Sequence, residues 1–311
     1  MPMQYIIHSI AEYLECLKDL SANMVNCGSI DKSRLYFRGE PQDYGKTAGQ
    51  PGIARGTWLE GNKESDLFRE CERRLSHEFA GCKSTFEKLV LMQHYFIPTR
   101  LLDVTLDPLI GLFFALYNDP KSKRSDNCDA VVLVYEVPKD SIRNYHSDVV
   151  SVISNIAVYH YENDALSVKD MPYSDDEWAR EKFNENDSIK HLIHEIRAEK
   201  PYFSGWIKKD NMESIFCVHP LLDNPRIRSQ QGAFLLFGIN GDKHKIATLE
   251  SNKGPEIRMT KICIPQSAKL RLREELNLLG RTIDTIYPDW DGVSDFFARF
   301  YDKSPEEYYQ S

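Results

Sequence analysis

The sequence predicts an α+β protein, a compact, partly antiparallel sheet with flanking helices. Strand-like runs occur at about 33–37, 130–137, 233–239 and 261–265. Helical patterns of uneven length separate them, without the regular alternation of a doubly wound sheet. Hydrophobic residues at 41% and charged residues at 28% exclude global disorder and supply a sizeable core over 311 residues.

Each element follows from local pattern. Ser9 and Glu12 form a capping box that opens a helix over 9–24, through Leu17 and Leu20. Ser33–Phe37 is a short strand running into Arg38-Gly39, and the Gly-, Pro- and polar-rich residues 41–64 form a long loop. Leu67, Phe68, Cys71, Leu75 and Phe79 share one helix face over 64–81, closed by Gly81, and a second helix covers about 84–95. Pro98 breaks the chain before Arg100. Asp107-Pro108 then opens a helix that is apolar almost all round and therefore buried. The continuous apolar run at 130–137 marks a buried central strand. Residues 140–215 are mainly polar, with a helical stretch near 176–197, and predict an insertion or lid. Strands at 233–239 and 261–265, a helix at 266–280 ended by Gly280 and a terminal helix at 291–301 complete the pattern.

The formal charge of −8 excludes a general-purpose nucleic-acid binder but accommodates a local basic patch or a basic protein partner. No run approaches the ~20 apolar residues of a membrane span, and the start, MPMQYIIHSIAEYL, lacks a basic leader. Seven cysteines, an odd number without CxxC spacing, predict reduced thiols rather than a disulfide framework or zinc site. A cytoplasmic protein is expected.

Three segments concentrate chemistry. In Tyr36-Phe37-Arg38-Gly39-Glu40, Arg38 offers a planar fork for phosphate or carboxylate and Gly39 permits close approach of a ligand or backbone. Arg38 is equally placed for a buried ion pair with Asp103 or Glu40. The segment Gln93–Thr105 sets His94, Tyr95, Arg100, Asp103 and Thr105 before the most apolar helix. Charges there are partly buried and need partners, so each is a ligand-facing group or half of a structural pair, with Thr105 or Asp107 as helix cap. The third segment, Asn224–Phe234, is a basic, amide-rich loop carrying Arg226, Arg228, Gln230 and Gln231. His191, His194 and Glu195 have spacing that a metal can bridge, or form a solvated helix face; no metal is expected. There is no GxxxxGK[ST] loop, GxSxG elbow or HExxH motif.

Phe37-Arg38-Gly39, QHYFIPTRLLDVT, RSQQGAF and the closing ELNLLGRTIDTIYPDWDGVSDFF together resemble the FRG-domain family. That family's middle block usually runs His, then Gly-Leu-Pro-Thr-Arg-Leu-Leu-Asp-Trp-Thr. The resemblance covers about residue 30 to the end. It implies an N-terminal helical segment at 1–30 and an FRG-type domain at 31–311 with the polar insertion at about 140–215. It also implies a toxin or phage-defence setting, and the block order is distantly similar to the ADP-ribosyltransferase fold.

By that analogy Arg38 matches the early-strand residue that contacts NAD, Asp103-Val104-Thr105 the middle Ser-Thr-Ser-like element, and Gln230-Gln231 the late pair that holds the catalytic glutamate. Gln231 is not a carboxylate, so the analogy moves that role to Asp103 or Glu40. The implied activity is an NAD-dependent ADP-ribosyltransferase toxin acting on nucleic acid, RNA being favoured. Arg38, Glu40, Asp103 and Gln231 form the implied catalytic set. Tyr36, Gly39, His94, Tyr95, Arg100 and Thr105 join Arg38 around NAD, and Arg226, Arg228 and Gln230 meet the acceptor. The competing activities are an NAD-independent nuclease, with Arg100, Arg226 and Arg228 on phosphates and His94 as acid/base, and a non-catalytic nucleotide-sensing or interaction module. A neutralising antitoxin or chaperone protein is the implied partner.

Overall fold

The computed structural model describes residues 5–26, 28, 31–117, 127–161, 166–172 and 177–288. Its first half runs β1 (Tyr5–Ile6), α1 (Ile10–Asn26), β2 (Ser33–Glu40), α2 (Lys63–Arg74), α3 (Ser76–Phe79), α4 (Thr85–His94), β3 (Leu101–Thr105) and α5 (Pro108–Leu116). Next come β4 (Ala130–Pro138), β5 (Ile142–Asn144), α6 (Asp148–Asn155), α7 (Glu177–Asn184), α8 (Asp187–Glu199) and α9 (Lys209–Met212). Then follow β6 (Ile215–His219), α10 (Pro225–Ser229), β7 (Gly232–Phe237), β8 (Ile239–Asn240), β9 (Asp242–Ile246), β10 (Arg258–Ile264), α11 (Lys269–Leu278) and α12 (Ile283–Ile286).

The fold is α+β. Eight strands form one sheet in the order β1-β10-β4-β2-β3-β7-β6-β5, while β8 and β9 form a small hairpin. Neighbours are antiparallel through the middle of the large sheet, and a parallel pair closes each edge, β1 with β10 and β5 with β6. Side-chain alternation explains the unbroken apolar run of β4. Val131, Leu133 and Tyr135 enter a core on one face, with Tyr36 and Leu235, while Ala130, Val132 and Val134 enter another on the opposite face.

That opposite face carries two separate cores. One joins α1, α5 and α11 to β2, β4 and β10 through Tyr13, Phe37, Phe113 and Leu272. The other joins α4, α6 and α8 to β3 and β7 through Leu89, Leu101, Ile153, Leu192 and Phe234. Residues 140–215 are polar in composition yet amphipathic in pattern, and they pack onto the sheet by the buried faces of α6 and α8.

The structure differs from the sequence expectations in particular places. The strand predicted at 33–37 runs to Glu40, so Arg38 lies inside β2 rather than at its end. The PTRLLDVT stretch, given no strand of its own, supplies the central strand β3, whose two sides are covered by β2 and β7. The helix predicted at 64–81 breaks at Leu75, where φ is −114°. The N-terminal segment adds the edge strand β1 to its helix. The terminal helix predicted at 291–301 lies outside the described residues. The six described cysteines are free thiols. Among the described residues, no helix is long and apolar enough to cross a membrane.

A buried charge cluster fastens α2 to the end of the sheet. Arg100 is fully buried, donates Nε to Glu64 Oε1 at 2.6 Å and pairs a second nitrogen with Oε2. It also donates to the carbonyl of Lys243, whose own buried Nζ donates to Tyr159 O. The Lys243 amine is pushed down to about 8, chiefly by burial, with Glu64 opposing and Arg100 adding to the shift. The folded value lies below the ordinary one near 10.5, so unfolding takes up a proton between the two. Lys243 therefore lowers stability at neutral pH, by about 3 kcal/mol, and that loss fades as pH rises through 8 toward 10.5. Urea unfolding should show stability rising between pH 8 and 9.5 in the parent protein, and a flatter profile with higher neutral-pH stability in Lys243→Met. Parallel pH profiles for the two proteins contradict this account.

Candidate functional site

The site originates in a fork in the sheet. β2 and β3 pair at a single position, Phe37 with Thr105. In a continued ladder Gly39 would face Asp103, but β2 stays with β4 while β3 stays with β7, and the two strands diverge. Packing against α5 holds β2 in that course. A Cβ on Gly39 would stand 2.2 Å from both Ala115 N and Gly111 O, and one on Gly111 would stand 2.6 Å from Phe37 Cβ. Strand and helix backbones touch directly, which requires glycine on both sides.

Arg38 bridges the fork. Its Nη1 donates to the main-chain oxygen of Asp103 at 2.9 Å and lies 3.8 Å from Asp103 Oδ2, while Nε donates to Glu40 Oε1 at 3.2 Å. Both ion pairs considered for Arg38 from sequence are thus present, and its Nη2 has no partner among the described residues. Glu40 is 1% exposed. Its Oε1 also accepts from Gly49 N at 3.2 Å and lies 3.7 Å from Arg55 Nη2, whereas Oε2 has no described partner. Two guanidiniums share one buried carboxylate. Burial, then the Arg38 charge, push the Arg55 pKa down, against Glu40. Arg55 also sits 5.3 Å from the centre of the Tyr44 ring.

Around this fork lies a cleft of about 670 Å³, within the usual size of ligand sites. It separates the two cores of that sheet face. Phe37, Phe114, Tyr117 and Tyr287 line one side, and Phe86, Val90, Leu91 and Phe234 the other. Arg38, Gly39, Glu40, His94, Asp103, Thr105, Arg226 and Gln230 of the expected set line it. Asp103 is half exposed and accepts from Gln93 Nε2 at 2.7 Å. Phe234 is its cross-strand partner on β7 and meets Phe86 edge-on at 6.3 Å. Arg226 stacks over the Tyr287 ring at 4.5 Å. Cys82 also lines the cleft, but burial and then Glu87 raise its pKa, so it is not a poised thiolate.

The other expected residues lie elsewhere. Arg100 is sequestered with Glu64. Tyr36 is buried on the opposite face, its hydroxyl 2.7 Å from His219 Nε2. Tyr95 and Arg228 are exposed and do not line the cleft. Gln231 adopts a left-handed backbone (φ +45°) as it ends α10, and its carbonyl accepts from Leu106 N at 3.2 Å. Gln230, not Gln231, presents itself to the cleft. The Thr105 hydroxyl is used internally, donating to Gln230 O at 2.6 Å and accepting from Asp107 N. Among the described residues no cluster is arranged to hold a metal ion. His191 stacks on Tyr161, whose hydroxyl donates to Glu195.

Sequence reasoning missed Arg55 and Tyr44, which sit in the loop after β2, and Gln93. The signal for Gln93 was its place in the middle block, beside His94. Phe96 marks another feature. It holds φ at +60°, in the position where the resembled block carries glycine, and its ring is 61% exposed at the cleft. A left-handed aromatic residue is strained by about 1–2 kcal/mol.

Two expectations follow for stability. Gly39→Ala should cost about 3 kcal/mol or more in urea unfolding, because the added methyl meets helix backbone rather than a side chain that can yield. An unchanged midpoint refutes the close-contact account. Phe96→Gly should instead stabilise the protein by about 1 kcal/mol; a loss of stability shows that the ring's packing outweighs the strain.

No curated protein and no solved structure matches the chain. Residues 33–124 match the profile of the FRG domain. The match begins at the first residue of β2 and takes in Arg38, Gly39, Glu40, Arg55, Gln93 and Asp103, the polar floor of the cleft. The chain therefore carries an FRG domain at residues 33–124.

Proposed function

We propose that the cleft binds NAD and breaks the bond between its ribose and nicotinamide, passing ADP-ribose to an acceptor, in the manner of a toxin-like defence effector. One observation carries this reading: Arg38, Asp103 and Phe234 stand on three consecutive strands, β2, β3 and β7. Arg38 reaches across the fork to within 3.8 Å of the Asp103 carboxylate, and Phe234 is the ladder partner of Asp103 at about 4.8 Å, so a cation, a carboxylate and an aromatic face follow one another in an order that suits a nucleotide's phosphate, sugar and ring.

Arg38 Nη2 and Arg55 supply donors for the diphosphate. Asp103 faces the anomeric carbon. As the C–N bond breaks, nicotinamide leaves neutral with the electron pair, and positive charge develops on the ribose, where a carboxylate stabilises it. The acceptor's nucleophilic atom then bonds to that carbon and loses its proton to solvent or to His94. Glu40 serves as the counter-ion of the two arginines rather than as the reacting carboxylate, since it is buried between them. Arg226 and Gln230 suit a phosphate-bearing acceptor. The nuclease reading is weakened because two of its three arginines, Arg100 and Arg228, do not line the cleft. A neutralising partner protein belongs to the same proposal, as a guard against uncontrolled NAD loss.

Incubation of purified protein with NAD labelled in the adenosine should release nicotinamide and move label onto RNA. Asp103→Asn should lower turnover about 100-fold or more while retaining NAD binding, and Arg38→Lys should weaken binding at least about tenfold. Absence of both nicotinamide release and calorimetric NAD binding rules the proposal out. Label appearing only on protein rejects the RNA acceptor, and RNA degradation without NAD replaces the proposal with the nuclease reading.

A further inference from the structure

The Asp103 carboxylate is held asymmetrically. Oδ2 accepts from Gln93 Nε2 at 2.7 Å and faces Arg38 Nη1 at 3.8 Å, while Oδ1 has no partner among the described residues. Gln93 is itself fixed from behind. Thr99 is 1% exposed, and its Oγ1 accepts from Leu101 N at 3.1 Å. A backbone N–H can only donate, so the threonine's own proton is directed elsewhere, to Gln93 Oε1 at 2.8 Å. That contact settles which end of the amide is which: with Oε1 turned to Thr99, the NH₂ group faces Asp103.

The four groups span the break at Pro98, linking the last turn of α4 to the start and middle of β3. Thr99 is locked in turn by its carbonyl, which accepts from Ile53 N at 3.1 Å. None of the three contacts is needed to cap α4 or to pair β3, since Tyr95 closes that helix with backbone bonds and β3 pairs along its full length with β7.

We infer that Gln93 and Thr99 are positioning residues that anchor Asp103 Oδ2 and thereby present Oδ1 to the ligand. The inference names the working oxygen of the site and rests on Asp103 acting there as proposed above. Gln93 does not touch the ligand's reacting atoms; it acts through Asp103. Thr99 acts one step further back, through the orientation of the Gln93 amide. A hydroxyl that both accepts and donates is required at 99, so serine can replace threonine and valine cannot.

The test combines kinetics with structure. Using the full chain and NAD, Gln93→Leu should lower kcat about 10- to 100-fold with KM changed less than about threefold. Thr99→Val should act in the same direction, Thr99→Ser should retain most of the turnover, and the double variant Gln93→Leu/Thr99→Val should be no worse than Gln93→Leu alone, because the two residues act in series. Crystal structures of Gln93→Leu and Thr99→Val should show the Asp103 carboxylate rotated away from its parental position. Additive losses, a loss carried by KM alone, or a Thr99→Val enzyme as active as the parent each overturn the relay. The structures separate the two levels of claim: if the parent consumes no NAD, the proposed function fails, and an Asp103 side chain unmoved in Gln93→Leu overturns the relay independently of any activity.

Discussion

The direct contact of β2 with α5 is the constraint on which the site depends. With Gly39 against the backbone of Gly111 and Ala115, and Gly111 against Phe37, the strand lies on the helix backbone and does not follow β3 beyond Phe37. The fork, the exposure of Asp103 and the place of Arg38 all follow. A ladder continued by two more pairs would bring Gly39 opposite Asp103 and close the gap that Arg38 now bridges. The Arg-Gly pair is thus a single device: glycine fixes the path of the strand, and arginine serves the carbonyl that the lost ladder leaves open.

Two arginines of nearly equal promise in the sequence meet opposite fates, and their partners explain why. Arg100 meets a bidentate carboxylate from α2 and a backbone carbonyl, and it is fully buried. Removing either partner from such a pair leaves an uncompensated buried charge, so the pair locks structure. Arg38 shares its carboxylate with Arg55, and the contacts are longer, at 3.2 and 3.7 Å. Asp103, half exposed and 3.8 Å from Arg38, supplies the second carboxylate at the floor of the cleft. Arg38 and Arg55 line the cleft, where an incoming anion can reach them, whereas Arg100 is fully buried.

The sequence made some of this legible. Continuous apolar runs marked β4, β7 and β10, and Arg38, Asp103, Gln230 and Gln231 were singled out from residue chemistry, of which the first three line the cleft. What stayed hidden has physical causes. β3 is five residues long and carries Asp103 among apolar neighbours, so it reads as a loop after Pro98, although β2 and β7 on either side make it a strand. Arg55 and Tyr44 come to the site through a loop whose course is set by tertiary contacts, among them Ile53 N with Thr99 O. Gln231 looked like the polar residue of the third segment, but the left-handed turn that ends α10 takes position 231 and turns its neighbour toward the cleft.

The cleft lies between two cores rather than within one, and this bears on how it works. Each wall is anchored in its own set of helices: α5, with Phe114, on one side, and α4, with Phe86, Val90 and Leu91, on the other. Across the fork the sheet provides only one ladder position, supplemented by Arg38. The charges that would meet a ligand are therefore the same ones that join the two halves of the sheet. A ligand anion drawing on Arg38 competes with the carbonyl and carboxylates that brace the fork, so occupancy and the width of the fork are coupled through one side chain. The Gln93–Thr99 arrangement sits wholly on the β3 side of that seam. It gives Asp103 a second hold besides Arg38, on the β3 side alone, which is the property a carboxylate needs if it is to meet a developing charge at a fixed point.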